Sequence, residues 1–132
     1  MANEPRSADD PQEWLHRARS NLILAGIVLE GVDPADHCFD AQQAAEKSIK
    51  AVFVRRGIDY PYTHDIAKLL RLLEQAGVPI PKYLLAAVKL TRYATLDRYP
   101  GSGSRTTEHK RRQAVRIAEK VLRWAERKIA AR

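Results

Sequence analysis

HCFDAQQAAEKSIKAVFVRRG, residues 37–57, is the stretch whose reading decides the fold. Cys38, Ala41, Ala45, Ile49, Val52 and Phe53 recur at steps of three or four, with a final adjacent pair. That spacing lays one apolar stripe along a helix and fits no strand. Asp33-Pro34 precedes it, a capping side chain followed by a residue suited to the first helical turn. Gly57 ends it.

Working outward, the same grammar repeats. Asp9 or Asp10 with Pro11 opens a first helix that should run to about Glu30 and close at Gly31. Its buried stripe would be Trp14, Ala18, Leu22, Ala25 and Leu29. A third helix is expected from His64, capped by Thr63, with Ile66, Leu69, Leu70 and Leu73 inside and Gly77 at its end. A fourth should cover Pro81 to Asp97, with Leu84, Ala87, Val88 and Leu90 facing in. RYPGSGSRTTE is the one longer loop, its Gly and Ser content favouring mobility. Thr107 caps a last helix to about Ala130, striped by Ala114, Ala118, Val121, Leu122, Ala125 and Ile129. The prediction is an all-α, up-and-down bundle of four to five helices. Residues 1–9 form a flexible N-terminal tail and residues 10–132 a single domain.

Composition narrows the function classes. The chain has 132 residues and a formal net charge of +7. From Lys110 to Arg132 there are nine basic and two acidic residues, so this segment alone carries +7 and the remainder balances. A basic element on a neutral body points to an anionic partner, although a solvated helix face would look the same. One cysteine, Cys38, excludes an internal disulfide. The polar start MANEPRSADD is no signal peptide, and no apolar run could span a bilayer. A cytoplasmic protein without membrane contact is expected.

The residues support little covalent or metal chemistry. His16, His37, His64 and His109 are scattered, without a paired spacing, so neither a metal nor a cofactor is expected. Cys38 lies on an apolar face and reads as a structural thiol. Three polar clusters remain. Gln42 and Glu46, and Gln43 and Lys47, are four apart on the second helix; the plain reading is a solvent-facing surface. Tyr62-Thr63-His64-Asp65 opens the third helix, where free N–H groups favour an anion beside an imidazole, or where a simple capping turn sits. Arg92-Tyr93 and Arg98-Tyr99-Pro100-Gly101 offer arginine beside an aromatic, suited to a phosphate and a base. Tyr93 could equally belong to the core.

Trp14-Leu15 with Ala18, the 37–57 block, YPYTHDIAKLL, LTRYATLDRYPG and AEKVLRWAERKI stand in the order that resembles the HEPN domain family, over roughly residues 12 to 129. The RYPG block resembles a subgroup often paired with a minimal nucleotidyltransferase. The resemblance implies a homodimer and a two-part module like a toxin–antitoxin pair. Many members are metal-independent RNases with an R-x4-6-H motif. Here no arginine stands at that spacing; Arg105 and His109 are one residue short. The reading is therefore a nucleotide- or RNA-binding module, with Lys47, His64, Arg92, Arg98 and Tyr99 as contacts. Two alternatives stay open. One is an RNase using His64 or His109 with Arg98 or Arg105. The other is an interaction subunit with no ligand of its own.

Overall fold

A computed structural model of the chain describes residues 7–95, 99–101 and 105–131. The elements run α1 (Pro11–Gly26), α2 (Pro34–Arg55), α3 (Ile66–Gln75), a 3₁₀ helix (Lys82–Ala94) and α4 (Glu108–Ala130). No strand occurs among the described residues. The fold is an all-α bundle. α2 is its axle, packed by α1 and α4 and flanked by the 3₁₀ helix and α3. The tail expected at residues 1–9 lies mostly outside the described residues.

Local chemistry sets most of the helix ends. Asp10 and Asp33 accept from the backbone N–H groups of Gln12 and Ala35, each with proline in the first turn. Thr107 caps α4 by accepting from the Lys110 N–H at 3.1 Å. The glycines after α2 and α3 close those helices. Gly57 sits at φ 69° and Gly77 at φ 94°. Ile58 N–H donates to the Phe53 carbonyl at 2.9 Å and Gly57 N–H to Val54 at 3.1 Å. Val78 and Gly77 repeat the pattern onto Leu73 and Glu74 at 3.0 Å each. Both are Schellman closures, which need the left-handed residue that glycine adopts without steric cost.

Three sequence expectations fail at their ends or faces. α1 stops at Gly26 rather than near Glu30. The cause lies far away in sequence: the His37 ring Nδ1 donates to the Leu24 carbonyl at 2.9 Å, and Arg111 Nη1 donates to Ala25 at 2.9 Å. Two buried side chains from α2 and α4 thus take the carbonyls that another turn would have used, and a cationic guanidinium suits a helix C-terminus. Beyond that point Leu29 is exposed, while Leu15 joins the core. α3 begins after Asp65, not Thr63. The Asp65 carboxylate accepts from Lys68 N–H, and the Thr63 hydroxyl only supports the turn before it by accepting from Asp65 N–H.

The third concerns the fourth segment. It is wound as a 3₁₀ helix and ends at Ala94 rather than Asp97. Leu84, Ala87, Leu90 and Tyr93 are buried at a spacing of three, joined at the helix end by Ala94. A helix of three residues per turn stacks those positions on one edge. Val88 falls off that edge and is exposed, against expectation.

α2 is buried on almost every side. Ala41, Ala44, Ala45 and Ala51 are fully buried, together with Ile49 and Phe53. Small residues distributed around the axis let neighbouring helices approach closely. Cys38 is completely buried within this core, consistent with a structural thiol. Tyr93 is a core residue.

Candidate functional site

Gln42 and Glu46 do not face solvent, which corrects the surface reading for that pair, while Gln43 and Lys47 are half-buried. Gln42 is 0% and Glu46 4% exposed. The Glu46 carboxylate is the hub of a network. It accepts from Gln42 Nε2 at 2.8 Å, Lys50 Nζ at 2.9 Å and His64 Nδ1 at 2.7 Å. Gln43 Nε2 extends the chain onto Gln42 Oε1 at 2.8 Å. Burial pushes the Glu46 carboxyl up, but the hydrogen bonds from Lys50, His64 and Gln42 outweigh it and hold it below the usual carboxylate value. His64, whose side chain is 58% exposed, is thereby anchored through one ring nitrogen while the ring reaches water.

His64 lies in the turn before α3, not on the helix. The N-terminal N–H groups of α3 are already engaged: Ile66 N–H donates to the Thr91 hydroxyl at 3.2 Å and Lys68 N–H to Asp65 at 3.3 Å. Two of the N–H groups that could have met an anion there are taken by side chains of the protein, which favours the capping turn. The same Thr91 contact brings the end of the 3₁₀ helix, and so the backbone at Arg92, against the start of α3.

Lys47 points the other way, toward α1. Its ammonium donates to Asn21 Oδ1 at 2.6 Å, and Asn21 Nδ2 donates to Asp40 Oδ1 at 3.3 Å. Burial, then the neighbouring Arg17 cation, push the Lys47 pKa down. Burial also raises Asp40, against the hydrogen bond from Asn21. Lys47, Arg17, Glu13 and Trp14 line a cleft of about 300 Å³ between α1 and α2.

Arg92 lines a different cleft, of about 290 Å³, between the 3₁₀ helix and α4. Lys89 and Arg92 are three apart, so the 3₁₀ winding sets both on one edge. Lys110 faces them from the first turn of α4, over a floor that includes Leu90, Tyr93, Ala114 and Ile117. Outside this cleft, Arg112, Arg116, Lys120, Arg123 and Arg127 are exposed at steps of three and four along α4. Some are tethered: Arg123 to Glu119 at 3.6 Å, and Arg127 to the Tyr83 hydroxyl at 2.9 Å. Arg111 instead turns inward and pairs with Glu108. That pairing holds the Glu108 carboxyl below its usual value.

The expected contacts therefore occupy several places. Lys47 bonds Asn21 of α1, His64 bonds Glu46 of α2, and Arg92 lines the 3₁₀–α4 cleft. Tyr99 is exposed, and His109 and Arg105 are exposed near the start of α4. Arg98 lies outside the described residues. The sequence reading missed Lys89 and Lys110, for which the three-residue step to Arg92 and the start of the basic helix were the signals. It also missed Glu46 as the hub. Among the described residues, no group of three or more His, Cys, Asp or Glu side chains could hold a metal ion, and no helix is long and apolar enough to cross a membrane.

An axial helix wrapped by two long helices and carrying a buried glutamate hub defines an all-helical bundle class. The HEPN domain family model matches residues 11–128, and the chain belongs to that family. Two solved structures are similar. TT1696 from Thermus thermophilus is 32% identical with a TM-score of 0.72, covering 89% of this chain and 97% of that one. ST0689, an archaeal HEPN homologue, is 26% identical with a TM-score of 0.73, covering 91% and 98%. No curated protein matches the chain.

Proposed function

We propose that this HEPN domain is a nucleotide- or RNA-binding module that acts as a homodimer. The observation that carries the reading is the 3₁₀–α4 cleft. There Lys89, Arg92 and Lys110 converge over an apolar floor large enough for a small ligand. Cations above an apolar shelf suit a phosphate joined to a flat base. The exposed basic stripe of α4 extends that field along the molecule. The resemblance extends the reading to a minimal nucleotidyltransferase partner in a toxin–antitoxin-like pair.

Labelled ATP and a short RNA, titrated at two salt concentrations, test it. Binding is expected to weaken steeply with salt, because each neutralised phosphate releases counterions. Arg92→Ala should weaken both ligands about tenfold, the scale of a charge-assisted contact. No binding to either ligand at low salt leaves the basic stripe as a docking face for an acidic partner.

The homodimer reading has its own support. Ile23, Leu24, Ile27, Val28, Leu29 and Val32 are all exposed within ten residues, Val28 at 70% and Ile23 at 65%. Six exposed aliphatic side chains so close together in the chain are what an association surface would use. Val28→Asp is expected to shift the species seen by light scattering from dimer to monomer. A chain that is already monomeric at concentrations well above the micromolar range would refute the dimer.

One observation favours a second reading, an RNase. His64 is oriented by a buried carboxylate, the arrangement that fixes an imidazole for proton transfer. RNA cleavage that persists in EDTA and is lost in His64→Ala would support it.

A further inference from the structure

We propose that Arg17, Lys47, Trp14, Tyr60 and Tyr62 form a platform for the unpaired bases and phosphates of single-stranded RNA. The platform is separate from the 3₁₀–α4 cleft, and it rests on the reading that the protein binds nucleic acid. Tyr62 is the starting point. It is 97% exposed, the most exposed of the large hydrophobic side chains among the described residues. Pro61 precedes it, and the turn is closed by Thr63 N–H on the Pro61 carbonyl at 3.0 Å. A phenol ring held in water by a braced turn buries almost none of its surface on folding; its face is available to a planar partner.

The ring is also backed. Tyr62 meets Tyr60 edge to face, with centroids 6.3 Å apart at 77°. Tyr60 meets Trp14 in the same way at 5.1 Å and 74°. The Lys50 ammonium lies 5.4 Å from the Tyr60 centroid, so Tyr60 is a support pinned by a cation. Trp14 is fixed by its indole N–H on the Ala8 carbonyl at 2.8 Å. The row links α1 to the turn before α3 through rigid contacts.

Next to Trp14 the row opens into the α1–α2 cleft with Lys47 and Arg17. Lys47 donates to a neutral amide oxygen and has Arg17 as a cationic neighbour; Glu13 pairs with Arg17 at 2.9 Å. The depressed Lys47 pKa reflects burial first and this cationic neighbour second. Glu46 and Asp40 act on Lys47 in the opposite sense, so a phosphate in the cleft would share its two cations with carboxylates already present. Aromatic faces beside cations are the chemistry of single-strand recognition: bases stack on the rings and phosphates follow the charge. Paired bases are already stacked within their helix and cannot reach Tyr62, so a duplex would use only the phosphate contacts.

Fluorescence anisotropy on the full chain tests this, with a short labelled unstructured RNA and the duplex of the same sequence as probes. The single strand should bind more tightly than the duplex. Tyr62→Ala should weaken the single strand roughly tenfold, the cost of one lost stacking contact. Tyr62→Phe, which keeps the ring, should restore it, and neither variant should alter duplex binding. ATP titrated into Tyr62→Ala separates this proposal from the cleft. ATP affinity unchanged with RNA affinity reduced supports the platform. RNA affinity unchanged in Tyr62→Ala, but reduced in Arg92→Ala, overturns the platform and leaves the cleft standing. A wild-type chain that binds neither RNA nor ATP overturns both.

Discussion

Replacing Glu46 by alanine should destabilise the protein by roughly 3–5 kcal/mol, the range for removing one partner of a buried ion pair. Three donors converge on this carboxylate, and the Lys50 ammonium is itself buried. Deleting the hub strands that charge and leaves Gln42 without its acceptor. Urea unfolding followed by circular dichroism measures the loss. The double variant Glu46→Leu with Lys50→Met should be the more stable of the two, since it removes both charges from the interior. A single variant within about 1 kcal/mol of wild type would show that the hub is hydrated and of little structural weight.

The hub also sets an acid limit. The folded pKa of Glu46 lies below its ordinary value of 4.5. A depressed carboxylate contributes fully above the unfolded pKa and loses that contribution as pH falls through the folded one. The stabilities of wild type and Glu46→Ala should therefore be farthest apart near neutrality. They should converge as pH drops below the ordinary carboxylate value. Divergence on acidification would contradict the assignment.

Phe53→Ala is the second large effect expected, roughly 3–5 kcal/mol. Phe53 heads the fully buried side chains by volume and lies near the end of the axial helix. Its removal opens a void that the Schellman closure just beyond it hinders from collapsing. The backbone there is pinned, with Ile58 N–H on the Phe53 carbonyl. The midpoint of thermal unfolding should fall by about 10 °C or more. Phe53→Leu keeps most of the volume and should lose less than half as much. Equal losses from both would mean that ring shape, rather than volume, is what the core requires.

Helix boundaries were legible where the chemistry is local. Asp10, Asp33, Thr107, Gly57 and Gly77 act through neighbours within a few residues, and each could be read in place. The stripe of α4 was equally plain, because only one of its faces meets the bundle. Distant partners were what escaped. α1 ends where it does because of His37 and Arg111, and no periodicity in α1 itself encodes that. Gln42 and Glu46 look like surface residues at helical spacing. They are interior because Gln42 bonds Glu46, because His64, from another segment, completes the hydrogen bonds of Glu46, and because alanines surround the α2 axis. The 3₁₀ winding was visible in Leu84, Ala87, Leu90 and Tyr93, whose step is three throughout. A search for α-helical spacing absorbed Val88 and hid the pattern. The clefts followed the same rule. Arg92 could be singled out from its own dipeptide, while Lys89 and Lys110 gained meaning only once two elements were juxtaposed. Trp14 read as core, though its ring is shared between the interior and the Tyr60 row.

Cys38 gives the wild-type chain a built-in reporter. The sole sulfhydryl is sealed at the head of the axial helix, so a colourless disulfide reagent can react only with molecules that have transiently parted there. Its labelling rate becomes a clock for that opening, with no engineered probe needed. Any ligand that clasps the bundle should slow the clock.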